Sequence, residues 1–263
     1  MNQELLISIY QMSVSSHEEE NIAKVAYTVE EAARRGSQML LLPELWSNGD
    51  VLGRAVQTAS PLGQGIFAKM AQLAKTYQIC MLGSNFSLMA DGKVGNTAVF
   101  FGQDGNILGV YSKIHLFRLM DEHRYLTGGE QLTVVETSWG KAGLSICYDL
   151  RFPEVYRAYA LAGVRIVFVP AAWPHPRLHH WQTLLRARAI ENQFFVVACN
   201  RVGKNGALEF FGHSCVIDPS GETLMQAGEN ETLLTLTLSL DVIEQVRSEI
   251  PIFEDRNPTA YKL

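Results

Sequence analysis

Short apolar runs and longer amphipathic stretches alternate along this chain. Residues 5–10 are apolar and β-compatible, and Ile22, Val25, Ala26, Val29 and Ala32 then recur at helical spacing across residues 18–35 until Gly36 stops the pattern. Residues 39–42 form a continuous apolar run of the kind found in a strand covered on both faces. The spacing predicts a second helix over 65–78. From Ile79 the pattern is β-rich, with turns at Ala90-Asp91-Gly92-Lys93 and Gln103-Asp104-Gly105-Asn106 that predict a meander through Phe86, Phe100 and Val110. Further strands are expected at 132–136, 144–147, 166–169, 194–200, 211–217 and 233–238, with helices near 153–162 and 178–192. The sum is an α/β chain with many strands.

A faint echo runs through the pattern. Leu42-Pro43-Glu44-Leu45-Trp46 resembles Val169-Pro170-Ala171-Ala172-Trp173, and Asn96-Thr97-Ala98-Val99-Phe100 resembles His213-Ser214-Cys215-Val216-Ile217. Two similar halves packed face to face would produce it, and no Pro/Ser/Gly-rich linker separates them, so residues 1–263 read as one domain of two pseudo-equivalent α/β layers. Residues 251–263 read as an extended polar tail, either frayed or packed on a neighbouring subunit.

Composition narrows the classes. The 263 residues are 47% hydrophobic, enough for one large core, and the formal net charge of −5 excludes a strongly basic nucleic-acid binder. No stretch approaches the ~20 apolar residues of a membrane helix. Met1 to Tyr10 carries an acidic residue where a secretory leader needs basic ones. The four cysteines are widely spaced and form no Cys-x-x-Cys pair, so the expectation is a reduced, cytoplasmic protein without a disulfide framework.

Three residues stand out chemically. Cys147 follows the apolar Leu144-Ser145-Ile146 and precedes a predicted helix, so the following amides and that helix N-terminus are expected to lower its thiol pKa and to hold an oxyanion; the alternative is a buried structural thiol, the reading kept for Cys80, Cys199 and Cys215. Glu44 closes the run Met39-Leu40-Leu41-Leu42-Pro43, as a cap or as a desolvated acid/base. Lys113 sits between Ile107 to Ser112 and Ile114-His115-Leu116-Phe117, an unusual setting for a surface lysine, though a snorkelling side chain at a strand end would also fit. All three fall at predicted strand ends, where ligand sites of α/β sheets lie.

The words around these residues, Leu-Leu-Pro-Glu-Leu-Trp, Tyr-Ser-Lys-Ile-His-Leu-Phe and Ser-Ile-Cys-Tyr-Asp-Leu-Arg-Phe-Pro-Glu, resemble the three signature segments of the nitrilase, or carbon–nitrogen hydrolase, superfamily, in the family's order. Asn96-Thr97-Ala98, the segment from Trp181 to Asn192, and Asp218-Pro219-Ser220-Gly221 extend the resemblance over nearly the whole chain. It implies an αββα sandwich, a cysteine-dependent amidohydrolase working through a thioester, and no metal or organic cofactor. Glu44 is then the general base, Cys147 the nucleophile and Lys113 the clamp on the tetrahedral intermediate, with the Tyr148 N–H as a second oxyanion donor. Glu122 best matches the family's second glutamate, with Asp121 and Glu130 as alternatives. The analogy also implies a homodimer.

Within the superfamily, Asp121-Glu122-His123, Asn200-Arg201-Val202-Gly203 and Trp173-Pro174-His175-Pro176-Arg177 most resemble bacterial ω-amidases, which cleave the terminal amide of 2-oxo-dicarboxylic acid monoamides. The α-carboxylate of such a small-molecule amide needs a cation. Arg118, Arg151 and Arg177 are the candidates, with Trp173 a further substrate contact, and Arg151 alternatively an ion-pair partner of Asp149 or Glu154. An N-carbamoyl amine hydrolase and a true nitrilase share the same three residues, and the presence of all three argues against the remaining alternative, an idle binding scaffold. Other chemistries find less support: His175, His179 and His180 cluster without a carboxylate, Gly212-His213-Ser214-Cys215-Val216 lacks the second glycine of a nucleophile elbow, and Gly63-Gln64-Gly65 is no nucleotide loop.

Overall fold

The computed structural model describes residues 4–49 and 52–261. The first three residues of the leader reading and the last two of the tail lie outside that range. Most of the elements that the periodicity predicts fall where it places them, and several short helices and strands go beyond it. In chain order the first sheet takes β1 (Glu4–Gln11), β2 (Met39–Leu41), β3 (Cys80–Leu88), β4 (Val94–Phe101) and β5 (Ile107–Ser112). The second takes β6 (Val134–Thr137), β7 (Gly140–Leu144), β8 (Ile166–Ala171) and β9 (Phe195–Asn200). A separate hairpin, β10 (Val202–Asn205) and β11 (Leu208–Phe211), precedes β12 (Cys215–Ile217) and β13 (Thr223–Gln226) of the second sheet, and β14 (Thr232–Ser239) returns to pair with β1.

The helices are α1 (Glu18–Arg34), α2 (Ala55–Thr58), α3 (Gly65–Tyr77), α4 (Glu122–Tyr125), α5 (Pro153–Leu161), α6 (Leu178–Asn192), α7 (Val242–Glu249) and α8 (Pro258–Tyr261). Strand alternation decides the layers. Leu5, Ile7, Ile9, Met39 and Leu41 face the second sheet, while Tyr10, Leu40, Leu42, Met81 and Val99 face the apolar stripes of α1 and α3, through Val25, Val29, Ala32, Ile66, Phe67 and Met70. On the far side α5 and α6 cover the second sheet through Tyr156, Tyr159, Trp181 and Leu185. The result is a four-layer αββα sandwich, and Phe100, Trp139 and Phe168 join its two sheets with ring centroids 6.0–6.2 Å apart.

The two sheets have one plan. The first runs β14-β1-β2-β3-β4-β5 and the second, read from its other edge, β6-β7-β8-β9-β12-β13. In both, the successive pairings are antiparallel, parallel, parallel, antiparallel, antiparallel. β2 therefore corresponds to β8 and β4 to β12, the segments that carry the two echoed words.

Several expectations need correction. The strand expected at 144–147 ends at Leu144, and Cys147 opens a 3-10 turn, Cys147–Arg151, at φ +47°. The turn forms because the Asp149 carboxylate accepts the Ile146 N–H at 3.0 Å, which ends the ladder in a local side-chain bond. The run 211–217 is broken into β11 and β12, since Gly212 and His213 have positive φ and Asn200 Nδ2 takes the Gly212 carbonyl at 2.9 Å. The strand expected at 132–136 starts at Val134. The described part of the carboxyl-terminal tail is not extended: residues 251–254 turn, Pro258–Tyr261 is helical, and Phe253 lies between the Arg157 and Arg247 guanidinium groups at 5.6 and 5.2 Å.

Candidate active site

β2, β5 and β7 all end at one rim of the sandwich. Glu44 follows β2, Lys113 follows β5 and Cys147 follows β7, so residues distant in sequence meet at the base of a cleft of about 370 Å³. The cleft is also lined by Phe117, Met120, Glu122, Tyr148, Arg151, Ala172, Trp173, Pro174 and Arg177.

Glu44 is buried and fully engaged. Its Oε1 accepts from Asn96 Nδ2 at 2.7 Å and Lys113 Nζ at 2.9 Å, and its Oε2 accepts the Ala172 N–H at 2.8 Å. Lys113 Nζ also donates to Glu122 Oε1 at 2.6 Å, while Glu122 Oε2 accepts the Phe117 N–H at 2.7 Å. The lysine is thus held between two carboxylates, and its own N–H is bonded to the Asn96 carbonyl at 2.8 Å. Burial alone would push the Lys113 ammonium down, but Glu122 and Glu44 outweigh it and hold its pKa well above the usual lysine range. Desolvation raises the Glu122 carboxyl despite Lys113 beside it.

The Cys147 thiol shares the base of the cleft with Glu44. Its pKa is raised well above the usual thiol value, first by burial and then by the Glu44 charge, against which Lys113 counts for less. The expectation of a lowered pKa is therefore wrong for the resting site: the adjacent carboxylate and the missing water dominate the amides and helix terminus. A non-glycine residue at φ +47° is a strained placement, held here by its surroundings. Arg188 of α6 donates through Nε and Nη2 to the Leu150 carbonyl at 3.1 and 2.9 Å, and Ser145 Oγ bonds Tyr156 OH at 2.8 Å, so both flanks of the turn are pinned.

Of the sequence candidates, Glu44, Lys113, Cys147, Glu122, Tyr148, Arg151, Trp173 and Arg177 come together at the cleft. Glu122, rather than Asp121 or Glu130, meets the lysine; Asp121 pairs with Arg124 at 3.2 Å and Glu130 is exposed. Arg118 does not reach the cleft, because it stands exposed on the 3-10 turn Arg118–Met120, whose next residue, Asp121, has φ +58°. Arg151 pairs with neither Asp149 nor Glu154: its guanidinium lies 4.8 Å from the Trp173 ring, 5.9 Å from Tyr148, and meets His180 Nδ1 at 3.2 Å. Arg177 lies 5.7 Å from the Phe117 ring. Among the described residues neither arginine has a carboxylate partner. His180 thus serves Arg151, and His175 packs edge-on to Phe211, so the three histidines do not converge.

The sequence reading missed Asn96, Phe117, Met120 and the Ala172 N–H. Asn96 carried a signal as the first residue of an echoed word, and Ala172 stands in the other such word; Phe117 and Met120 carried none, because their positions depend on the turn that Glu122 closes.

The chain belongs to the carbon-nitrogen hydrolase family, whose model matches residues 6–248. It is 38% identical over 256 residues, 97% of this chain and 98% of the relative, to a 2-oxoglutaramate amidase of Bacillus subtilis. Among solved structures it is similar to a carbon-nitrogen hydrolase superfamily protein of Xanthomonas campestris with an arsenic adduct in its active site, at TM-score 0.91 and 30% identity, covering 97% of each chain. It is likewise similar to an amidase variant of Nesterenkonia that shows Michael addition of acrylamide at the active-site cysteine, at TM-score 0.84 and 28% identity, covering 94% of this chain and 98% of that one.

Proposed function

We propose that this protein is an ω-amidase, hydrolysing the terminal amide of small 2-oxo-dicarboxylic acid monoamides such as 2-oxoglutaramate and 2-oxosuccinamate to the acid and ammonia. The observation that carries this reading is a buried thiol beside the Glu44–Lys113 pair at the base of a cleft lined by two arginines that have no carboxylate partner among the described residues. Full-length similarity to a 2-oxoglutaramate amidase supports the substrate, and the acrylamide adduct of the Nesterenkonia amidase supports a nucleophilic cysteine.

In this mechanism the resting site holds a neutral thiol. Cys147 Sγ attacks the carboxamide carbon as Glu44 takes its proton, and the oxyanion is stabilised by the Lys113 ammonium and the Tyr148 N–H. Glu44 then protonates the departing amine, ammonia leaves, and a thioester remains. Water, deprotonated by Glu44, attacks that thioester, and the acid departs as the thiol is restored. Glu122 steers Lys113 and keeps it charged through two substitutions. Arg151 and Arg177 take the α-carboxylate against the face of Trp173, since paired cations with no internal anion favour an anionic ligand. The chain works as one domain over residues 1–263, as a homodimer by analogy with its family and in a reducing, cytoplasmic setting in line with its widely spaced free cysteines. Among the described residues no helix is long and apolar enough to cross a membrane.

The test is ammonia release by wild type and Cys147→Ala from 2-oxoglutaramate, 2-oxosuccinamate, glutamine, an N-carbamoyl amine and a simple nitrile. Cys147-dependent release selective for the oxo-acid amides is expected. Preference for the carbamoyl compound or the nitrile would overturn the substrate, and normal turnover by Cys147→Ala would overturn the mechanism.

A further inference from the structure

Asp149 is wholly buried and, among the described residues, its side chain meets no lysine or arginine. Such a carboxylate persists only when hydrogen-bond donors replace its water. Four do so here, and they come from two different parts of the chain. Oδ1 accepts the His115 N–H at 2.9 Å and His115 Nδ1 at 2.8 Å. Oδ2 accepts Tyr111 OH at 2.7 Å and the Ile146 N–H at 3.0 Å. Tyr111 and His115 stand two residues to either side of Lys113, while Ile146 and Asp149 itself bracket Cys147.

We infer that Asp149 is a positioning residue that fixes the Cys147 turn against the Lys113 segment, setting the distance between nucleophile and clamp. It touches no reacting atom. The inference rests on the proposed roles of Cys147 and Lys113 and names what holds them in register. Three features support it. The two segments come from different sheets, β5 and β7, so no ladder hydrogen bond joins them directly. The His115 ring stacks on Phe152 at 3.5 Å, which closes the link at the far end of the turn. The strained φ of Cys147 also requires an external restraint, and the Asp149 bond to Ile146 supplies one on the residue immediately before it.

Asparagine has nearly the same shape but presents an NH2 group to one of the two donor pairs, so either the lysine side or the nucleophile side loses its acceptor. Asp149→Asn is therefore expected to lower kcat by about 100-fold, as a misplacement of reacting groups by about 1 Å does, with KM for 2-oxoglutaramate near the wild-type value. Tyr111→Phe removes one donor and is expected to lower kcat by about 10-fold with the same KM pattern. Rates are taken per active site, counted by the stoichiometry of iodoacetamide labelling at Cys147 in the folded protein. A merely structural role would lower the melting temperature and the site count while leaving kcat per site intact, and that result overturns the inference; so does a loss expressed in KM with kcat unchanged. If Asp149→Asn does not fold, Tyr111→Phe decides by the same criteria. Cys147→Ala run alongside separates the two failures: its retained turnover would defeat the nucleophile reading itself, whereas a dead Cys147→Ala beside an undiminished Asp149→Asn defeats only the positioning role.

Discussion

At the scale of single residues, burial and the neighbouring Glu44 charge hold the Cys147 thiol above its ordinary value. Alkylation of Cys147 by iodoacetamide in the absence of substrate should therefore keep rising with pH through the ordinary thiol value of 9.0, since only the thiolate reacts. A rate that levels off near neutral pH would mean a preformed thiolate and would reverse the order of the first step. Lys113 is likewise held in its protonated form. Its folded pKa stands above 10.5, so the stability it contributes is complete below that pH and is lost only as pH rises through the raised folded value. The words around Glu44, Lys113 and Cys147 were readable because all three stand just past the ends of strands, β2, β5 and β7. Asp149 was not readable as a link, since its meaning depends on Tyr111 and His115, 38 and 34 residues away, and a sequence does not display that meeting.

Among elements, β7 has a particular burden, because the strand leads directly into the Cys147 turn. Gly143 lies under the Tyr159 ring, and a Cβ there would come within 2.9 Å of its Cγ. That ring cannot swing away freely: Tyr159 OH donates to the Leu144 carbonyl and accepts the Thr133 N–H at 3.2 Å. Gly143→Ala is expected to cost about 1–3 kcal/mol through overpacking, seen as a lower urea midpoint with unchanged slope; an unaltered midpoint would show that β7 and α5 separate easily. Periodicity found α1, α3 and α5, each with one apolar face of regular period, while β2, β4, β8 and β9 were readable as continuous apolar runs buried on both faces. It failed at 144–147 and 211–217, where apolar side chains continue but the backbone bends, a change set by Asp149 and Asn200 rather than by the local pattern.

For the whole molecule, stability rests on the seam between the two sheets. Phe100 is fully buried there between Trp139 and Phe168, and Phe100→Ala should lower the unfolding free energy by about 3–5 kcal/mol. A denaturant titration giving less than about 1 kcal/mol would mean that the seam closes over the gap. The twofold plan was legible in the echoed words, which fall on the equivalent strands β2 with β8 and β4 with β12. That plan also shows where the halves part. Glu44 and Ala171 occupy matching places at the ends of β2 and β8, and their backbones meet, with the Glu44 N–H on the Ala171 carbonyl at 3.4 Å. An acid at both places would set two carboxylates against each other in a buried space, where like charges are strongly penalised. Instead one half carries the acid, and the other presents only the neighbouring Ala172 amide to hold it.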